Sequence, residues 1–349
     1  MKSPESGKFR LAIVVPKHPS GEIGGAERFY FGLNQAMLSR GIDSQILEVA
    51  SDERDIDAIK ESYLRFYDLD LSGFDGVIST KAPTYLIGHS NHVCYLVHTM
   101  RVFYDLFERE FPPSSKAHQE QRDFILKADL AALSPPRVKK LYVIGKEVGD
   151  RMETFLGLSS SVLRLATPLT GFHSRSYDYV FIPSRLHRWK RIDLIIEAMR
   201  HLRSRLSLLI AGSGEDEEEL RMQAKGNEQV EFLGRISDDQ LIDLYSRALV
   251  VPFVPIGEDY GYVTLEAFKS EKPVITCRDS GEPANMVEDG VSGFVCAPEP
   301  EAIAEKIDFF AEDEERAKEM GRAGLESVSS ITWSAITDEL LDTLGVSDE

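Results

Sequence analysis

Two carboxylates and a knot of bases are the residues of this sequence best suited to chemistry. Glu258 and Glu266 stand with seven residues between them in the stretch VVPFVPIGEDYGYVTLEAFKSEKPVIT, residues 250–276. Upstream, Arg185, Arg188, Lys190 and Arg191 crowd into SRLHRWKR with His187 among them. Like charges so close repel one another unless an anion is held there. An arginine grips a phosphate with two parallel N–H donors, and a lysine answers it as a point charge. Carboxylates instead accept from hydroxyls. A ligand carrying both hydroxyls and phosphate reconciles the two sets.

The elements around these residues read as strand, loop, helix, strand. Apolar runs predict strands at Phe9–Pro16, Ile42–Val49, Phe74–Ser79, His92–His98 and Leu141–Ile144. After Leu163–Phe172, a linker marked by Pro168 and Gly171, they resume at Tyr179–Pro183, Leu206–Ala211, Val230–Leu233, Leu249–Val254 and Val274–Thr276. Helical patterns fall between them, at about Ala26–Arg40, Glu147–Leu156, Ile192–Leu202, Ser237–Ala248 and from Val263. Helix continues over Pro300–Leu344, and the acidic run Ser51–Glu61 reads as solvated helix or loop. In open parallel sheets of this kind, ligands bind outside the carboxyl ends of the strands, where helix N-termini aim amides at anions. Lys190, Glu258 and His98 all follow strands. Gly24-Gly25 opens a helix, and Gly212-Ser213-Gly214 ends a strand, so backbone there can approach a ligand closely.

Composition narrows the class. The 349 residues suit two domains, each with its own core. The net charge of −18 is uneven: residues 1–170 hold 21 bases and 22 acids, and the other −17 lies beyond them. A nucleic-acid protein would present a basic surface, so that class is disfavoured. The near-neutral N-terminal half is the one suited to a membrane or a large acceptor. Cys94, Cys277 and Cys296 lie far apart in apolar surroundings, which reads as buried thiols of a cytosolic protein. No run approaches the ~18 apolar residues of a membrane span. Asp68-Leu69-Asp70 has the D-x-D form of some metal sites but none of its usual surroundings, and His89 and His92 lack companions for a metal. The expectation is no metal. The glycines at 21, 24 and 25 do not make the dinucleotide fingerprint of a dehydrogenase.

Six blocks, in order, resemble the retaining glycosyltransferases of family four. They are GGAER after the first strand, HTMR at 98–101, the pair Arg185 and Lys190, the G-x-G loop at Gly212–Gly214, the Gly234 segment, and Glu258 with Glu266. EPANMV and DGVSGFV follow, with Ser292 where that family often has Asn, and Met100 stands where it often has Pro. The resemblance implies a GT-B fold: two Rossmann-like domains, 1–168 and 169–330, facing across a cleft, with residues 331–349 crossing back to the first. It implies that Arg185, Lys190, Glu258 and His98 serve catalysis. Gly24, Gly25, Gly212, Ser213, Gly214, Gly234, Asp259, Tyr260, Gly261, Tyr262, Val263, Thr264 and Glu266 would bind the donor. Arg101, Tyr104 and Asp105 are candidates for the acceptor side.

The implied reaction moves a sugar from a nucleotide diphosphate to a hydroxyl acceptor with retention, by attack on the face the diphosphate leaves. Charge then grows on the departing phosphate, and cations and amides aimed at it are the main catalytic device. Arg185, Lys190 and the N–H groups of Glu258–Thr264 are the candidates. Glu258 would orient the sugar hydroxyls, and Glu266 the ribose. Rival readings are a GT-B epimerase or phosphorylase, and an idle partner subunit that keeps the fold. The partner subunit would be favoured had Arg185, Lys190, Glu258 or Glu266 been lost.

Overall fold

The central apolar runs that sequence reasoning reads as strands are buried on both faces, the condition for a parallel sheet covered by helices. The computed structural model describes residues 8–17, 25–112 and 115–346, with Ala26 as backbone only. Two compact units emerge, Met1–Pro168 with Ile331–Glu349, and Leu169–Ser330.

The first unit holds β1 (Arg10–Lys17), β2 (Asp43–Ala50), β3 (Gly76–Lys81), β4 (His92–His98), β5 (Lys140–Val143) and β6 (Ser161–Val162). They form one parallel sheet in the order β2-β1-β3-β4-β5-β6. Leu11, Ala12, Ile13 and Val14 are wholly buried, so β1 is the spine of this core. Its helices are α1 (Gly25–Ser39), α2 (Ile56–Tyr67), α3 (Phe107–Glu110), α4 (Lys116–Leu133) and α5 (Lys146–Leu156). The acidic run at 51–61 resolves into α2 because Asp55 caps it, accepting from the amides of Asp57 and Ala58. The 18-residue α4 is not legible from periodicity. Its buried face is only Ile125, Ala132, Leu133 and Asp129, and the carboxylate breaks the apolar stripe. Asp129 is fully buried and accepts from Tyr63 Oη at 2.8 Å and Tyr104 Oη at 2.6 Å.

The second unit holds β7 (Tyr179–Pro183), β8 (Leu208–Ala211), β9 (Val230–Gly234), β10 (Ala248–Pro252), β11 (Val274–Cys277) and β12 (Gly293–Cys296), again parallel, in the order β12-β11-β10-β7-β8-β9. Between them run α6 (Ile192–Ala198), α7 (Glu217–Gln223), α8 (Asp238–Arg247), α9 (Tyr262–Lys269), α10 (Glu282–Met286), α11 (Pro300–Glu312) and α12 (Glu314–Ser327). Ser237 and Gln240 close a reciprocal capping box at the start of α8. Strand order reverses between β7 and β10, which makes their carboxyl ends the switch point of this sheet. Cys277 and Cys296 are register partners on β11 and β12, so thiols far apart in sequence are neighbours in space; both are buried and reduced. At the opposite end of β11, buried Lys272 donates to Ser174 Oγ (2.9 Å) and Ser176 O (2.8 Å), tying the entry segment to the sheet.

The final helix, α13 (Trp333–Leu344), belongs to the first unit. Trp333 stacks on Phe29 with ring centroids 6.2 Å apart, and its indole N–H donates to Thr167 O at 3.1 Å. Gly32 of α1 makes room for that ring, since a Cβ there would lie 2.4 Å from it. The long helical pattern at 300–344 is therefore three helices, restarted by Asp313 and Thr332 as N-caps.

Candidate functional site

The switch point of the second sheet collects the chemistry. Lys190, in the loop after β7, places its ammonium 2.5 Å from Glu258 Oε2, in the loop after β10. Both side chains are about a quarter exposed. β7 and β10 are neighbours in the sheet, so the two loops issue side by side. A cation and an acid thus meet where a ligand has access to both.

The four clustered bases do not share one anion. Arg185 pairs with Glu215 beyond β8, Lys190 with Glu258, and Arg191 with Asp279 beyond β11, while Arg188 lies 5.3 Å over the Trp189 ring. Three acids from three loops pair with three of the four bases. Sequence reasoning could count the bases but not choose their partners. Arg185 and Glu215 are both more than half exposed, so a phosphate reaching Arg185 competes with a solvated pair.

Glu266 lies on α9, 7 % exposed, and accepts from the buried phenol of Tyr245 at 3.2 Å. Burial, then the carboxylate beside it, pushes the Tyr245 hydroxyl well above its ordinary range, so it stays a donor. Tyr245 escaped sequence reasoning because it sits on α8, 21 residues from Glu266, in an ordinary amphipathic pattern.

Between the carboxylates the loop is tightly turned. Gly261 has φ +79, with Asp259 and Tyr260 packed inward and Tyr260 edge-on to Tyr262 at 5.4 Å. The set of free amides is narrower than expected. Glu258 N donates to Ser280 O (2.9 Å) and Thr264 N to Gly261 O (3.1 Å). Thr264 is also wholly buried. Val263 is half-buried at the first turn of α9.

The glycine loop after β8 touches the loop after β7 backbone to backbone. A Cβ on Gly212 would fall 1.9 Å from Ser184 O, and one on Gly214 2.1 Å from Leu186 O. Leu186 N donates to Ser213 O at 3.1 Å, Gly212 N to Gly234 O at 2.8 Å, and Arg235 Nε to Ser213 Oγ at 2.8 Å. These glycines bring the loop carrying Arg185 against its neighbour.

In the first unit, His98 ends β4 half-buried, and Gly25 opens α1; Gly24 lies outside the described residues. Two of the acceptor-side candidates are engaged within the protein. Tyr104 is 1 % exposed with its hydroxyl on Asp129, so it belongs to the core. Asp105 accepts from Arg101 Nε at 3.0 Å and forms an ion pair with the buried Arg151, N to O 2.9 Å, which makes it the centre of a local ion network. Asp70 accepts from Ser72 N at 3.0 Å, which holds its carboxyl below the usual range as part of a turn. His92 is buried against Ser79 Oγ at 2.8 Å, with its pKa lowered by burial to about 4, and His89 bonds Phe74 O at 3.1 Å.

Two all-parallel six-stranded sheets with helices alternating between the strands make a GT-B fold, which similar solved structures share. Sucrose-phosphate synthase from Thermosynechococcus elongatus superposes with a TM-score of 0.74 at 17 % identity, covering 96 % of this chain and 98 % of that one. HepE from Anabaena, in complex with UDP and glucose, superposes at 0.68 with 15 % identity, covering 97 % and 99 %. Residues 172–327 match the model of the family glycosyl transferases group 1. Human alpha-1,3/1,6-mannosyltransferase ALG2 is 33 % identical over 178 residues, 45 % of this chain and 42 % of that protein. D-inositol 3-phosphate glycosyltransferase of Corynebacterium diphtheriae is 20 % identical, over 93 % of this chain and 90 % of that protein. The chain spans about half the length of the ALG2 proteins it matches, 42 % of the human and 51 % of the mouse protein.

Proposed function

We propose that this protein transfers a hexose-type sugar, with retention, from a UDP- or GDP-sugar to a hydroxyl acceptor in glycan, polysaccharide or glycolipid synthesis. The observation that carries the reading is the Lys190–Glu258 pair, 2.5 Å apart at the switch point of a parallel sheet. There a cation for the diphosphate and an acid for the sugar hydroxyls open to the same ligand. Arg185 and Lys190 stabilise the charge growing on the leaving phosphate, helped by amides at the start of α9. Glu258 orients the sugar at C1. Glu266, held by Tyr245, accepts from the ribose. The β-phosphate assists deprotonation of the acceptor as it departs. The two bases neutralise the diphosphate, so no metal is required. The similarity to a UDP- and glucose-binding protein and to mannosyltransferases supports the donor class.

Residues 1–168 of the first unit, near neutral in charge, form the side on which the acceptor docks. No helix among the described residues is long and apolar enough to cross a membrane, and the reading places the protein in the cytoplasm or at the inner membrane face.

A thermal-shift panel of UDP, GDP, ADP and their sugars tests the donor. A ligand at 100 times its Kd adds about 2.7 kcal/mol. Transfer is expected to survive chelation. Activity lost in chelator and restored by Mn²⁺ or Mg²⁺ overturns the metal-free mechanism, and no shift with any nucleotide overturns the donor class.

A further inference from the structure

Arg191 follows Lys190 and is turned away from it. Its backbone is left-handed, φ +50 and ψ +44, a conformation that a side-chain-bearing residue keeps only when its surroundings impose it. Here they do. Nε donates to Val254 O at 2.6 Å and Nη2 to Pro255 O at 2.8 Å. Nη2 and Nη1 also donate to the two oxygens of Asp279, at 2.7 and 2.9 Å. Four of the five guanidinium N–H donors are engaged, and the side chain is 12 % exposed.

The acceptors lie on two other loops. Val254 and Pro255 immediately precede the turn that carries Glu258, and Asp279 follows β11. Backbone bonds run through the same junction. Ile256 N donates to Trp189 O (2.8 Å), Gly257 N to Asp279 O (2.9 Å), and Glu282 N to Glu258 O (2.8 Å). Gly281 lets the third loop lie directly on Glu258, since a Cβ there would be 2.4 Å from Glu258 O. Lys190 approaches this junction from one side and Glu258 from the other.

We infer that Arg191 is a positioning residue for the transfer proposed above: it locks the loops after β7, β10 and β11 so that Lys190 and Glu258 stay aligned. The inference rests on that reading of the site. It removes Arg191 from the set of phosphate ligands. To reach a diphosphate, its guanidinium would have to abandon two carbonyls in buried surroundings and the Asp279 carboxylate. Lysine cannot substitute, because one ammonium does not span two carbonyls and a carboxylate in this planar arrangement. Glycine suits the left-handed backbone but supplies none of the bonds.

The test uses R191G, R191K and D279N of the full chain. In R191G, kcat is expected to fall about tenfold, while the Kd of free nucleotide diphosphate stays within twofold by calorimetry. R191K is expected to match R191G, and it replaces that variant if R191G does not fold. D279N lowers kcat in the same direction, and the R191G/D279N double variant is no slower than R191G alone. Independently of activity, amide exchange at residues 256–258 is expected to accelerate about tenfold in R191G. A tenfold weaker Kd for the nucleotide diphosphate, partly restored by lysine, would make Arg191 a phosphate ligand and overturn the inference. Unchanged exchange overturns it whatever the activity. Wild-type protein that binds no nucleotide sugar sinks the reading of the site instead, so the two failures are separable.

Discussion

Glu258 Oε2 lies 2.5 Å from Lys190 Nζ, so the acid assigned to the sugar and the base assigned to the phosphate hold each other. A donor entering there exchanges this pair for two new ones. The sugar hydroxyls take the carboxylate and the diphosphate takes the ammonium.

Removing the carboxylate charge therefore has opposite effects on chemistry and on nucleotide affinity. Glu258→Gln is expected to lower kcat tenfold to a hundredfold, about 1.4–2.7 kcal/mol, because the sugar contact changes as C1 flattens. Free nucleotide diphosphate should bind as well as to wild type or more tightly, since Lys190 no longer has a competing partner. Steady-state kinetics with calorimetry decides it. Weakened diphosphate binding at full kcat would refute the assignment.

Glu266 and Tyr245 act on binding. Glu266→Gln should raise the donor KM and the Kd of free nucleotide diphosphate, with a smaller loss of kcat, because the ribose does not change during the reaction. Tyr245→Phe keeps the ring against Phe181, 5.2 Å between centroids, but removes the hydroxyl that orients Glu266. A loss of binding of about three- to tenfold is expected, about 0.7–1.4 kcal/mol, with kcat within twofold. Calorimetry showing wild-type affinity in both variants would detach Glu266 from the nucleotide.

Gly281 and Gly290 share φ +76, although Gly281, at ψ −132, lies outside the left-handed helical region and an alanine there meets backbone strain as well. A Cβ at Gly290 meets nothing within 4 Å, while one at Gly281 meets the Glu258 backbone at 2.4 Å. Gly290→Ala should cost only the left-handed penalty, about 1–2 kcal/mol, and leave kcat intact. Gly281→Ala should cost more and depress kcat by displacing Glu258. Equal melting shifts and equal turnover in the two variants would show that the contact carries no consequence.

Asp129 sets a pH dependence in the first unit. Burial raises its pKa to about 6 despite the bonds from Tyr104 and Tyr63, against 3.8 for an unperturbed aspartate. The folded state therefore binds more protons than the unfolded state between those values, so this residue's contribution falls as pH rises from about 4 to 6 and is flat above. Relative to Asp129→Asn, wild type should lose about 2 kcal/mol of stability between pH 4 and pH 7. Denaturation midpoints for both proteins across that range measure it. A difference independent of pH would mean that the carboxyl is charged throughout.

The sequence alone determines the alternation of strand and helix, because continuous burial and helical periodicity are local signals. The strand His92–His98 was legible to the residue. The same local pattern puts Lys190, Glu258 and His98 at strand ends, where parallel sheets take their ligands. Strand order decides the rest. Only when β10 packs beside β7 does Lys190 meet Glu258, and only when β11 follows does Asp279 take Arg191 out of the basic cluster. Cys277 and Cys296, Tyr245 and Glu266, and Tyr104 and Asp129 are likewise pairs that no spacing announces. Burial is written along the chain, residue by residue. The partner of a polar group is chosen across space, by whichever segments the sheet brings together.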